Sequence, residues 1–234
     1  MQDVQVGDRI DQHHDRRGVI ALAVVAVLLA AGLVAVAVWP EPPRPAPASP
    51  VAAVVEYDPV DCASGRVVPD QGQREIASEG YVPPAEAVIA SGSRVTVTVQ
   101  GTAGRAVVLQ SARVEVVRSL PAPVGLFLRA GCASKVPPRY FRVDLDRSEP
   151  RLVAEPDTPD FPYRVDQADP EQLIVTTKVT TALVEWRLRL AWTSGEESGE
   201  LVLDDHGLPF RTTAVTGSRE LCLDGEAMWR SDCS

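Results

Sequence analysis

The stretch VEWRLRLAW, residues 184–192, carries the clearest structural signal in the sequence. Its large apolar residues occupy alternate positions: Trp186, Leu188, Leu190 and Trp192. The other set of alternate positions carries the charged residues Glu185, Arg187 and Arg189. Successive side chains of a strand point to opposite faces, so this period of two predicts a β-strand with one buried and one wet face. We expect the two tryptophans in a sheet core rather than along a ligand groove, and the charged residues in cross-strand ion pairs.

Other segments show the same period or a similar composition. Valine alternates with threonine over 95–99, and apolar residues alternate with charged ones over 141–145. Further strands are predicted at 106–110, 112–117, 173–180, 199–204 and 210–215. Turn-forming residues at 101–104, 194–198 and 204–207 separate them, and the last three strands are expected to form a meander.

These strands predict a mainly β domain, an antiparallel sandwich-like fold. Residues 84–90 favour a helical turn or two, and 148–170 an irregular connection that crosses between sheets. Residues 51–84 carry no clear pattern.

An unbroken apolar run, GVIALAVVAVLLAAGLVAVAVW, covers residues 18–39. A helix of this length spans roughly 33 Å, enough to cross a hydrocarbon core of about 30 Å. Trp39 marks the outer boundary, and Pro40 ends the helix. Because Arg16 and Arg17 precede the run, we expect a cytoplasmic tail over 1–17, a transmembrane helix over 18–39 and an extracellular C-terminal domain at the plasma membrane.

A cleaved signal peptide is the alternative, because small-x-small patterns end at Ala37 and at Ala48. A signal peptide's apolar core runs about 7–15 residues, and this run is longer, which favours an uncleaved signal-anchor. Ala26 and Ala30 would permit close approach of a second helix, although no GxxxG pair is present, so the oligomeric state stays open.

Residues 40–50, PEPPRPAPASP, predict a Pro-rich stalk, with a PxxP docking motif as the alternative. The exported β-rich domain then covers 51–234. Four cysteines fall on this side of the run: Cys62, Cys132, Cys222 and Cys233. An even set in an oxidising compartment predicts two disulfide bonds, and the spacing lacks the CxxC pairs of a zinc site. Of the three connectivities, we favour Cys62 with Cys132 and Cys222 with Cys233.

Residues 40–234 carry 20 basic and 28 acidic side chains. This acidic balance argues against nucleic acid or anionic lipid as a partner. The predicted domain has one histidine, His206, in a polar turn, and we expect a solvated turn residue rather than a catalytic base. Five acids near one another do not match a calcium loop, and we expect a solvated acidic loop: Asp157, Asp160, Asp166, Asp169 and Glu171. We therefore predict no catalytic residue, metal or cofactor.

Three segments carry a resemblance to a known group of proteins: RYFRVDLD at 139–146, EWRLRLAWTSG at 185–195 and DDHGLPFRT at 204–212. They resemble uncharacterised actinobacterial single-pass membrane proteins with a C-terminal exported β-rich domain. The resemblance implies a topology and a compartment, and it implies no activity.

The sequence therefore favours a membrane-anchored protein that is not an enzyme, whose extracellular domain binds a cell-envelope partner or ligand. Two alternatives remain: an envelope hydrolase or transferase that uses carboxylates on wall polymer, and a structural assembly factor. The lipid bilayer, through residues 18–39, and an envelope or membrane protein are the expected partners.

Overall fold

The computed structural model describes residues 49–57, 65–102, 104–129, 139–224 and 226–231. Within these residues every regular element is a strand. The strands are β1 (Val51–Glu56), β2 (Arg66–Val68), β3 (Glu75–Ala77), β4 (Val88–Ala90), β5 (Arg94–Gly101), β6 (Val107–Pro121), β7 (Leu126–Arg129), β8 (Arg139–Asp144), β9 (Leu152–Ala154), β10 (Tyr163–Val165), β11 (Glu171–Lys178), β12 (Ala182–Ser194), β13 (Glu197–Leu203), β14 (Phe210–Thr213), β15 (Arg219–Leu223) and β16 (Met228–Arg230). The prediction of a mainly β chain is confirmed.

Five strands form a small sheet in the order β1-β5-β11-β8-β9. Its strand β5, between β1 and β11, shows why the sequence forms a sheet: Val95, Val97 and Val99 are buried, and the residues between them point outward. β11 pairs antiparallel with β5 and parallel with β8. A strand from late in the chain therefore separates two earlier ones.

The remaining strands form a large sheet in the order β10-β6-β12-β14-β4-β2-β7-β15-β16-β3, with β13 also beside β12. Most pairs in both sheets are antiparallel, as the sequence predicts. Two pairs of the large sheet are parallel, β14 with β4 and β15 with β7. Both sheets are therefore mixed, because long connections return strands in the same direction as their neighbours.

One hydrophobic core joins the two sheets. The small sheet contributes Val97, Phe141 and Val175, and the large sheet contributes Trp186 and Phe210, all of which are at most 1% exposed. The inner faces of the two sheets therefore pack against each other, as in a sandwich. The inward orientation predicted for the apolar side of β12 is confirmed, since its four large apolar residues are at most 9% exposed.

A second, smaller core lies at the far end of the large sheet. Val68, Leu126, Leu128 and Leu221 are buried there. Tyr81 and Trp229 cover this cluster, with their rings edge to face at 5.3 Å between centroids. This cluster stabilises the end of the sheet where β16 pairs with β3.

The sequence predicts two strands at 106–110 and 112–117, and this prediction is wrong. One strand, β6, runs through both segments and pairs with β12 along its length. The pairing register shifts opposite Ala191/Trp192 and again opposite Glu185/Trp186. A β-bulge changes the alternation of side chains without ending the strand, and this explains the apparent break in the pattern.

The predicted meander of the last strands is also wrong. β13 and β14 both run antiparallel to β12 and lie one after the other along the same edge of it. The turn at residues 204–209 does not reverse the chain into a new neighbouring strand. It loops out beside Arg187, since Leu203 pairs with Leu188 and Phe210 with Trp186.

Three further segments differ from expectation. Residues 84–90 form one turn, closed by Ala87 N donating to Pro84 O at 2.9 Å, followed by the buried strand β4 rather than a helix. The connection 148–170 does cross between the sheets, but it contains β9 in the small sheet and β10 in the large one. Residues 51–84, which carry no clear pattern, supply β1, β2 and β3.

Several predictions fall outside the described residues. These are the tail 1–17, the span 18–39, the stalk over 40–48, the boundary residues Arg16, Arg17, Trp39 and Pro40, and the cysteines Cys62, Cys132 and Cys233. In the part that is described, no helix is long and apolar enough to cross a membrane. Cys222 lies on β15 and does not carry a free thiol. The pairing of the four cysteines stays a prediction.

Candidate functional site: a basic groove beside the small sheet

The outer face of the small sheet carries an open groove of about 770 Å³. Strand pairing brings its floor together, because Thr176 on β11 pairs with Arg142 on β8, and Arg142 pairs with Val153 on β9. The next position along the same strands pairs Thr177 with Val143, and the one after it pairs Lys178 with Asp144. Alternation on β8 and β11 therefore places Arg142, Asp144 and Lys178 on one outward face.

The connection between β8 and β9 supplies the wall of the groove. It carries Arg147, Glu149 and Arg151, all of which line the same space. Asp146 holds the start of this connection, because its carboxylate accepts hydrogen bonds from the backbone N and the hydroxyl of Thr180 at 3.0 and 2.7 Å. The two arginines of the connection are thus presented beside the strand residues.

The groove contains more cations than carboxylates. Four cations line it: Arg142, Arg147, Arg151 and Lys178. Three carboxylates contact them: Asp144, Glu149 and Glu155. The chain has only two lysines, and Lys178 is one of them. An excess of positive charge thus lies on a domain whose overall balance is acidic.

Ion pairs inside the groove are long. Arg142 lies 3.5 Å from Glu155, Arg147 lies 3.6 Å and Lys178 lies 3.9 Å from Asp144, and Arg151 lies 4.0 Å from Glu149. The side chains of the four cations are 61–83% exposed. Across the described ranges, none of the four side chains donates a hydrogen bond, so their donors face solvent.

The outer face of the large sheet provides a contrast. There the arginines donate directly to carboxylates on neighbouring strands. Arg118 Nε and Nη2 reach the two Glu185 oxygens at 2.6 and 2.8 Å, and Arg189 bonds both Glu115 and Glu200. We call this set of pairs the charge ladder; it also includes Arg187 with Asp204 at 3.2 Å. The cross-strand ion pairs predicted for β12 are confirmed.

Glu185 is less exposed than its pattern suggests. The sequence assigns it to a wet face, but the residue is only 6% exposed. The hydrogen bonds from Arg118 lower the pKa of its carboxyl group, and Arg211 at 3.8 Å adds to the effect against the burial that raises it. The paired arginines explain how a carboxylate is retained there, since burial of an unpaired charge is costly.

The structure separates the residues that the sequence raised as candidates. Trp186 and Trp192 lie in the core and not in a groove. His206 is exposed in the turn between β13 and β14, with φ of 51°. Among the five acids, Glu171 binds Arg139 and Asp166 accepts two backbone N–H groups of its own turn. Within the described residues, no group of three or more His, Cys, Asp or Glu side chains is placed to hold a metal ion.

The basic groove was not found by sequence reasoning. Its one local signal is the charged alternation of Arg142 and Asp144 on the outward face of β8. The parallel pairing of β8 with β11, which brings Lys178 to the same place, has no local signature.

Comparison of the chain with protein-family models, curated proteins and solved structures finds no match.

Proposed function

We propose that this chain is a single-pass membrane protein whose extracellular β-domain binds an anionic group of a cell-envelope ligand in the basic groove. The observation that carries the proposal is the set of four exposed cations whose own ion pairs all exceed hydrogen-bond length. Exposed arginine donors without a hydrogen-bonded carboxylate are suited to a phosphate or carboxylate group, which a guanidinium binds through two parallel hydrogen bonds.

The acidic charge of the whole domain limits the class of ligand. A long polyanion such as a nucleic acid would extend beyond the groove over a domain whose overall charge is acidic. A compact anionic group on an otherwise neutral polymer would be little affected by that charge, because charges are screened over about 8 Å at physiological ionic strength. The proposed ligand is therefore a phosphate or carboxylate substituent of an envelope polymer.

Direct titration tests the groove. The full-length protein in detergent would be titrated by calorimetry with tripolyphosphate and with citrate, which separate phosphate from carboxylate chemistry. We expect one of the two to bind, and the double variant R142A/R151A to weaken binding at least tenfold.

The matched control is Arg164→Ala. Arg164 is 73% exposed on β10 and lies 4.0 Å from Asp166, so its replacement removes one positive charge at a similar exposure outside the groove, and its effect is compared with that of the single variant Arg151→Ala. Absence of binding to either anion, or an equal loss in the control variant, would refute the groove as the binding site.

The proposed topology has a separate test. Thiol labelling of intact cells would be compared with and without prior reduction. An extracellular domain with two disulfides predicts no labelling before reduction and labelling after it. Labelling without reduction, or only after the membrane is opened, contradicts the disulfides or the orientation.

A further inference from the structure

The long strand β6 has a neighbour along one edge for most of its length and along the other for only three residues. β12 pairs with it from Val108 to Pro121. On the opposite side, β10 pairs only with Val107, Val108 and Leu109. Over residues 110–121 no strand of the described ranges pairs with this second edge. Unpaired backbone N–H and C=O groups along such an edge can pair with another strand.

The edge is apolar on its core side. Ala112, Val114 and Val116 pair with Leu190, Leu188 and Trp186, so they share the inward face of the sheet. Ala112 and Val114 are partly buried against the core, and Val116 is 38% exposed. An additional strand beside β6 would cover this row and extend the core by one strand.

The charged residues on the outward face determine which pairing register is favourable for such a strand. Residues 111–116 form the regular part of the edge, because Val117 is the extra residue of a bulge. Two copies of this segment can pair antiparallel about Arg113, Val114 or Glu115. The first register puts arginine opposite arginine, and the last puts glutamate opposite glutamate. Centring on Val114 places Arg113 opposite Glu115 twice.

The register centred on Val114 also pairs the apolar residues of the two copies with each other. It places Val114 opposite Val114 and Ala112 opposite Val116, so every apolar residue of the row meets another. Registers displaced by one residue would set the apolar row against the charged row. Within each copy, Arg113 is held by Glu200 and Glu115 by Arg189, which orients both side chains on the outward face.

We propose that the free edge of β6 is a self-association surface, on which a second copy of this chain pairs antiparallel with a two-fold axis at Val114. The large sheets of the two copies would then continue into each other. Arg113 would face Glu115 of the partner subunit, and Glu115 would face Arg113 of the partner subunit. Such an interface is isologous, so it closes at two copies.

Charge-reversal variants test the register. Arg113→Glu makes the row acidic at both positions, and Glu115→Arg makes it basic at both. Each variant alone opposes like charges across the two-fold axis, whereas a one-to-one mixture opposes unlike charges. We expect the wild-type chain in detergent to show twice its monomer mass of 25.1 kDa by light scattering, each variant to show the monomer mass, and the mixture to recover the dimer.

Hydrogen exchange of the wild type gives a second readout that does not depend on how well the variants fold. Among residues 111–117, the amides that point to the free edge should become at least tenfold more protected as the chain is concentrated across its dimerisation range, whereas the amides already bonded to β12 should not change. A wild type that stays monomeric, variants that dimerise as it does, or a mixture that stays monomeric while both variants fold, would each overturn the proposal.

Discussion

The indole nitrogen of Trp186 donates a hydrogen bond to the hydroxyl oxygen of Thr212 at 3.1 Å, and both residues are fully buried. Trp186 also packs against Phe210, with 4.8 Å between the ring centroids. The hydrogen bond links β12 to β14 inside the core, where no water can replace either partner. It therefore satisfies the one polar group of the largest core side chain.

We expect Thr212→Val to lower the free energy of unfolding by about 1–3 kcal/mol, because the shape is kept but the buried indole N–H loses its acceptor. Chemical denaturation followed by tryptophan fluorescence measures the effect. Thr216→Val is the control, since Thr216 is exposed and bonds Thr180 O, so water can replace its hydroxyl. Equal effects of the two substitutions would contradict this account.

Replacement of Glu185 by glutamine should destabilise the domain in a pH-dependent way. Glutamine keeps the size of the side chain but weakens the two hydrogen bonds from Arg118, and we expect a loss of about 1–3 kcal/mol at pH 7. Because the pKa of Glu185 is lowered in the folded state, its stabilising contribution is present above the unfolded value near 4.5. It is lost as the pH falls through the folded value.

The difference in stability between wild type and Glu185→Gln should therefore shrink once the pH is below about 4.5. Denaturation curves at a series of pH values test this. Glu197→Gln is the comparison, because Glu197 pairs with Arg105 on the surface and both side chains are about half exposed. We expect little change there, and a constant difference for Glu185→Gln at all pH values would contradict the prediction.

Gly199 is expected to tolerate no side chain. It pairs with Trp192 across β12 and β13, and a Cβ atom built on Gly199 would lie 2.6 Å from Cζ2 of that indole. Gly199→Ala therefore forces the ring to move, and we expect a loss of about 1–3 kcal/mol and a shift in tryptophan emission. Ser198→Ala, at the exposed neighbouring position, should change neither quantity.

Binding in the basic groove should depend on salt. The four cations are well exposed, so their attraction for an anion is screened as ionic strength rises. We expect affinity for the bound anion to fall about tenfold or more between roughly 0.05 and 0.5 M NaCl, and Lys178→Gln to flatten this dependence. Calorimetry at several salt concentrations measures the salt dependence of the wild type and of Lys178→Gln. Affinity that is insensitive to salt would contradict an electrostatic site.

Local patterns predicted the strands well where one face is buried. Trp186, Leu188 and Leu190 alternate with charges, so both their orientation and their ion pairs follow from the sequence. The short strand β4 did not follow, because Val88, Ile89 and Ala90 are all buried and leave no alternation. Periodicity is informative only when the two faces of a strand differ in exposure.

Pairing between distant strands was beyond local reasoning. The bulge opposite Trp192 hides the continuity of β6, and nothing near Lys178 indicates that β8 lies beside β11. The basic groove depends on that pairing. In the same way, the turn between β13 and β14 loops out only because both strands pair with the same edge of β12. Such features are fixed by tertiary packing rather than by propensity.

The pairing of β16 with β3 has a consequence for how the chain acquires its structure. Met228 meets Ala77 across about 150 residues of sequence, and contacts of such separation slow folding because a long loop must close first. Among the described strands β3 pairs only with β16, so its partner is absent until residues 228–230 have been synthesised. As far as the described residues show it, the large sheet is therefore completed only after residues 228–230 have been translated, so its β3 end forms post-translationally.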